Sequence, residues 1–143
     1  MTTMSKLQSF LLRWFLLFSL THLFGPSRGD VGTASQYSPP YLPTACYGSN
    51  VGKLPTDNFF ASASEGIWNN EASCGRQYLV RCLSAITPGT CTGRTIQLKI
   101  VDRSSTSVSR PSYEGTTMAL SESAFAAIAN ISATEINIEF QQV

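Results

Sequence analysis

An N-terminal stretch patterned like an export signal, followed by four cysteines and no further histidine, constrains this chain more than any other feature. Lys6 and Arg13 precede an apolar run from Trp14 to Phe24, and Ser27 and Gly29 offer small residues suited to cleavage. The run is too short to cross a bilayer, which takes about 20 apolar residues. Residues 1–29 therefore read as a signal peptide that is removed, not as an anchor. The one histidine, His22, lies inside that leader. The expected product is a secreted domain over residues 30–143, working outside the cell without imidazole chemistry and without stable membrane insertion.

Cys46, Cys74, Cys82 and Cys91 form an even set in an oxidising compartment, so two disulfides are expected. Four cysteines allow three pairings, and spacing alone does not choose among them. A zinc site is disfavoured. There is no Cys-x-x-Cys pair and no histidine beyond the leader, so a tetrahedral site would need all four thiolates from loosely spaced positions. No metal and no cofactor is expected. Beyond residue 29 there are seven basic and nine acidic side chains, scattered along the chain. Nucleic-acid binding needs clustered positive charge, so that class is set aside.

The segment pattern is mainly β. Gly32–Tyr37 reads as a strand ended by Ser38-Pro39-Pro40, because proline removes a ladder donor. Pro39–Asn58 is rich in turn formers and reads as loop. Phe59–Trp68 is ambiguous: alanines favour helix, while Gly66 and the serines weaken it. Gln77–Leu83 suits a strand, with a turn at Thr87-Pro88-Gly89. Thr95–Asp102 alternates Ile96, Leu98 and Ile100 against Thr95, Gln97 and Lys99, the period of a half-buried strand. Arg103–Gly115 reads as a polar loop. Ser121 is the expected N-cap of a helix over Glu122–Ala129, with Phe125, Ile128 and Ala129 facing the core. Thr134–Gln142 closes the pattern as a strand with Ile136, Ile138 and Phe140 inward.

Asn130-Ile131-Ser132 fits the N-glycosylation pattern. Asparagine is also ordinary at a helix exit, so an unmodified residue is the alternative. The common nucleophilic triads are excluded by the missing histidine, since a serine or cysteine needs a base to activate it. No phosphate-cradling glycine motif and no metal-ligand cluster is present.

Several segments, taken in order, resemble a known family. They are Gly32-Thr33-Ala34, Tyr37-Ser38-Pro39-Pro40-Tyr41, Pro43-Thr44-Ala45-Cys46-Tyr47-Gly48, Ile67-Trp68-Asn69-Asn70, Cys74-Gly75, Val80-Arg81-Cys82, Ile100-Val101-Asp102, and Leu120-Ser121 with Ala124-Phe125 and Ile128-Ala129. From about Gly32 to Val143 the chain resembles the plant natriuretic peptides and the blight-associated protein of citrus. These are single-domain relatives of expansins, with a domain akin to family-forty-five endoglucanases. The resemblance implies a six-stranded double-psi β-barrel with one or two short helices. It also implies the pairing Cys46 with Cys74 and Cys82 with Cys91. Close relatives carry a third cysteine pair where this chain has Ser104 and Glu114, so the Arg103–Gly115 loop is expected to be looser here.

Glycoside hydrolysis usually needs two carboxyl groups flanking the scissile bond. By resemblance, the essential aspartate ahead of Leu120-Ser121 is replaced by Ala119. The region of the other acid carries Ser35, Gln36 and Tyr37, none of them a carboxylate. Asp102 matches an aspartate that lines the groove of expansin-like barrels, and Thr33, Tyr37 and Tyr41 join it as candidate groove residues. Asp102 has two readings: a ligand-binding or lone lytic acid, or a strand-end acceptor of backbone N–H groups. Trp68 reads as core or barrel wall. The implied function is a non-enzymatic apoplastic signal of natriuretic-peptide type, acting in water and solute homeostasis and stress responses. Its active region would run from Cys46 to Cys74, with Lys53, Asp57, Phe59 and Phe60 as contact candidates. The expected partner is a cell-surface receptor protein or a wall polysaccharide, met by a monomer. The alternatives are an expansin-like wall-binding or wall-loosening module, a residual lytic glycosidase using Asp102, and a defence protein of the barwin type.

Overall fold

The structure, a computed structural model, describes residues 29–104 and 115–143. Residues 1–28, which hold all but Gly29 of the expected signal peptide, and residues 105–114 of the Arg103–Gly115 loop, including Glu114, lie outside the described residues. Six strands form a closed barrel: β1 (Asp30–Tyr37), β2 (Phe60–Ala63), β3 (Gln77–Ser84), β4 (Thr95–Arg103), β5 (Met118–Ser121) and β6 (Ile136–Gln142). Around the ring the order is β1-β5-β2-β4-β3-β6. Two pairings, β1 with β5 and β2 with β4, are parallel, and the other four are antiparallel. Two short helices, α1 (Glu65–Trp68) and α2 (Glu122–Ile128), pack against the barrel and add Trp68, Ala124, Phe125 and Ile128 to its apolar core.

The strands with clear alternation bury one face. Tyr78, Val80 and Cys82 on β3, Ile96, Leu98 and Ile100 on β4, and Ile136, Ile138 and Phe140 on β6 point inward. Their intervening residues are mostly exposed, which is why period two was visible. β2 and β5 behave differently. All four residues of each are buried, so both faces are covered and no alternation of polarity remains. β5 accordingly went unrecognised in the sequence. The ambiguous Phe59–Trp68 segment divides into β2 and α1.

α2 begins where expected: the Ser121 hydroxyl accepts from the Ala124 N–H at 3.2 Å. It ends one residue earlier than read from the sequence, with Ala129 as its C-cap. Phe125 and Ile128 are fully buried against the barrel, and Ala129 is nearly so. β6 starts at Ile136 rather than Thr134, after a turn in which the Ala133 N–H bonds the Asn130 carbonyl. Trp68 is 5% exposed and belongs to the core. Cystines join Cys46 to Cys74 and Cys82 to Cys91, with Cα–Cα distances of 5.5 and 5.3 Å. Among the described residues no helix is long and apolar enough to cross a membrane.

Candidate functional site

The candidate site lies on the outer face of four adjacent strands, and one inserted residue builds it. In the β2–β4 pairing Ala61 faces Ile100, but Ser62 faces Asp102, so Val101 is an extra residue on β4. Strict alternation would have turned Asp102 inward with Leu98 and Ile100. The bulge reverses that, because a one-residue slip sends every later side chain to the other face. Asp102 therefore emerges beside Ser62 on the outside of the barrel wall.

From Asp102 a lateral row continues across the sheet. Ser62 pairs with Ala119 on β5, and Ala119 pairs with Ser35 on β1. The row Asp102, Ser62, Ala119, Ser35 holds one carboxylate, one methyl and two hydroxyls. Asp102 and Ala119 stand two strands apart, about 10 Å at the usual strand spacing. Flanking hydroxyls extend the row: Ser104 Oγ lies 2.9 Å from Ser62 Oγ, and Thr116 Oγ1 lies 3.2 Å from Ser35 Oγ. All four row residues are at most 1% exposed.

A second apolar cluster sits against this face. Tyr37, Phe60, Val101 and Ala119 form its buried part, and Tyr41, Tyr47 and Leu54 pack over them. Tyr37, Tyr41 and Phe60 meet edge to face, with centroids 5.0, 6.4 and 4.8 Å apart. The Tyr41 hydroxyl donates to the Tyr37 carbonyl at 3.2 Å and accepts from the Glu122 N–H at 3.1 Å. It thereby ties the end of β1 to the start of α2.

Asp102 anchors the covering segment. Its Oδ1 accepts from the Ala45 N–H at 2.8 Å and from the Arg103 N–H at 2.8 Å. The neighbouring Cys46 N–H bonds the Val101 carbonyl, and the Cys46–Cys74 cystine holds the same stretch from the other side. The carboxylate thus accepts backbone N–H groups at a strand end. The Tyr37 hydroxyl is buried with no hydrogen-bond partner among the described residues. Burial, and then the negative charge of Asp102, push its pKa far above the ordinary phenol value, so it keeps its proton. Burial also raises the pKa of Tyr41.

The structure brings Tyr37 and Asp102 into one neighbourhood. Thr33 shares their face of β1 but lies further along it, with its N–H bonded to Thr117 Oγ1 at 3.1 Å. Of the contact candidates in the Cys46–Cys74 stretch, Phe60 is fully buried and serves as a core side chain. Phe59 is partly covered by the Arg94 guanidinium, 5.9 Å from its ring centroid. Lys53 and Asp57 are exposed. Sequence reasoning missed Ser62, Ser104 and Thr116 as neighbours of the row: Ser62 sits in a short buried strand without periodic signal, and Ser104 and Thr116 lie just outside strands, where their partners are distant in sequence. Among the described residues no group of three or more histidine, cysteine, aspartate or glutamate side chains is arranged to hold a metal ion.

Comparison with known proteins agrees with this architecture. Residues 61–140 match the family model described as lytic transglycolase. The chain is 42% identical over 115 residues to an EG45-like domain containing protein of Citrus jambhiri, covering 78% of this chain and 79% of that one. It is 34% identical over 114 residues to EG45-like domain containing protein 2 of Arabidopsis thaliana, with the same coverage. Among solved structures it is similar to an apo expansin of Clavibacter michiganensis, at TM-score 0.56 and 22% identity. A mutant of that expansin in complex with cellohexaose matches at TM-score 0.57 and 22% identity. Each match covers 79% of this chain but only 49% of the expansin chain.

Proposed function

Because this chain belongs to the EG45-like, expansin-like family of plant proteins, we propose that it is a secreted, non-hydrolytic protein of the apoplast that works by binding. The observation that carries this is the row Asp102, Ser62, Ala119, Ser35. Hydrolysis of a glycosidic bond wants an acid and a second carboxylate on opposite sides of the bond. Here the residue across the row is a methyl group, and Asp102 accepts two backbone N–H groups that hold the covering segment.

The finer reading is an extracellular signal of natriuretic-peptide type, received by a cell-surface protein and affecting water and solute balance. Burial of the row supports it, since the accessible chemistry lies elsewhere. The cystine-closed stretch from Cys46 to Cys74 presents Lys53, Asp57 and a largely exposed Val51 to solvent. The folded, disulfide-bonded protein applied to plant protoplasts should swell them at low dose. No change in volume would remove the signalling reading.

A second reading, an expansin-like module that holds a wall polysaccharide, is favoured by the fold shared with an expansin whose mutant was solved in complex with cellohexaose. Saturable retention on cellulose or pectin would support it. Release of reducing ends by the native protein, lost in Asp102→Asn, would overturn the non-hydrolytic reading altogether.

A further inference from the structure

We propose that Asn130 carries an N-linked glycan, added in the secretory pathway and seated on a ridge between two surface recesses. The sequon Asn130-Ile131-Ser132 has hydroxyl and carboxamide two residues apart with no intervening proline. The structure brings the two side chains into contact. Asn130 Oδ1 accepts from the Ser132 N–H at 3.0 Å and from the Ser132 hydroxyl at 2.9 Å. Both bonds engage the carboxamide oxygen and leave Nδ2 uncommitted. Among the described residues Nδ2 makes no hydrogen bond of its own.

The backbone around the sequon is held while its side chains stay exposed. The Asn130 N–H donates to the Thr90 carbonyl at 2.9 Å, and the Ala133 N–H closes the turn onto the Asn130 carbonyl at 3.1 Å. Gln36 Nε2 on β1 donates to the carbonyls of Ile131 at 2.8 Å and Ala133 at 3.2 Å. Asn130, Ile131 and Ser132 are all exposed. A cleft of about 780 Å³, lined by Gln36, Glu122 and Ile131 among others, opens on one side. A recess of about 290 Å³ bordered by Ile86 and Pro88 lies on the other. Ile131 is 63% exposed and Ile86 fully so. The apolar face of the first sugar would shield the exposed Ile131 next to its attachment point, and the sugar hydroxyls would face water.

The step is a group transfer whose donor is an oligosaccharyl lipid pyrophosphate. Asn130 Nδ2 attacks C1 of the first sugar, a C–N bond forms, and the C1–O bond to pyrophosphate breaks. The lipid pyrophosphate leaves with the electron pair. The proton lost from Nδ2 passes to a base of the transferase.

The inference rests on the secretory reading above, and the test separates the two. The full chain is produced in plant leaf cells, and apoplastic fluid and cell contents are blotted before and after treatment with a glycan-removing amidase. Extracellular protein that migrates faster after treatment, and whose shift is absent from both Asn130→Gln and Ser132→Ala, is the expected result. Ser132→Thr should keep the shift. Extracellular protein with no shift overturns the glycan alone. Unshifted protein retained inside the cell overturns both readings. Shifted protein retained inside the cell supports the glycan and counts against the apoplastic address. Thermal unfolding of Asn130→Gln, expected within a few degrees of the amidase-treated parent, shows that a lost shift does not reflect misfolding.

Discussion

The β2–β5 pair has two faces that differ in what they ask of a side chain. Inward, Ala61, Ala63, Met118 and Leu120 join an apolar interior that includes Phe125 and Ile138. Outward, one residue along, the same strands present Ser62 and Ala119 between Asp102 and Ser35. Both faces are buried. The inner one is filled by shape and apolar area, and the outer one by hydroxyl pairs, a carboxylate bonded to backbone, and a tyrosine cluster. The lesson is that burial alone does not define a core. The outer face is as buried as the inner one and is nevertheless built around polar groups.

The contrast can be broken experimentally. The largest effect is expected from the interior. Phe125→Ala should lose about 3–5 kcal/mol, read as a shift in denaturant midpoint. Removing the clasp over the outer face by replacing Cys46 and Cys74 together with serine should cost about 3 kcal/mol, since the bridge spans 28 residues. Asp102→Ala should lose about 2 kcal/mol by leaving the Ala45 N–H without its acceptor, and amide exchange at Ala45 should accelerate. Asp102→Asn, which keeps an oxygen for that N–H, should cost less.

A matched pair of alanines sharpens the comparison further. Ala61→Ser puts a hydroxyl into the apolar interior and should cost about 1–3 kcal/mol. Ala119→Ser, flanked by Ser62 and Ser35, should cost under about 1 kcal/mol. Equal costs would mean that the two faces are the same kind of core. The smallest effect is Tyr37→Phe, which removes a buried hydroxyl that has no partner among the described residues and should change stability by less than about 1 kcal/mol at neutral pH. Its pH dependence is diagnostic. The folded state holds the Tyr37 proton above the unfolded phenol pKa of about 10. The native protein should therefore lose stability as pH rises through that value, because the unfolded chain releases the proton and the folded one does not. Tyr37→Phe should flatten that decline.

The half-exposed strands were legible because solvent on one side writes polarity into every second residue. β3, β4 and β6 lie close to the segments read from the sequence, and the Ser121 cap marks α2. β2 and β5 were not legible, since four residues covered on both sides leave no periodic signal. The six-stranded barrel came from resemblance to a family, not from the pattern. At the site, Asp102 and Tyr37 were named through that resemblance. The Val101 bulge and the hydroxyls of Ser62, Ser104 and Thr116 depend on pairing across strands distant in sequence, which no local window contains.

Ring closure has one last consequence. Each of the six strands already has a neighbour on both sides. Among the described residues a visiting peptide therefore finds no strand whose whole edge is open for it to add itself as a seventh. Recognition by this barrel thus falls mainly to its side chains and connecting loops.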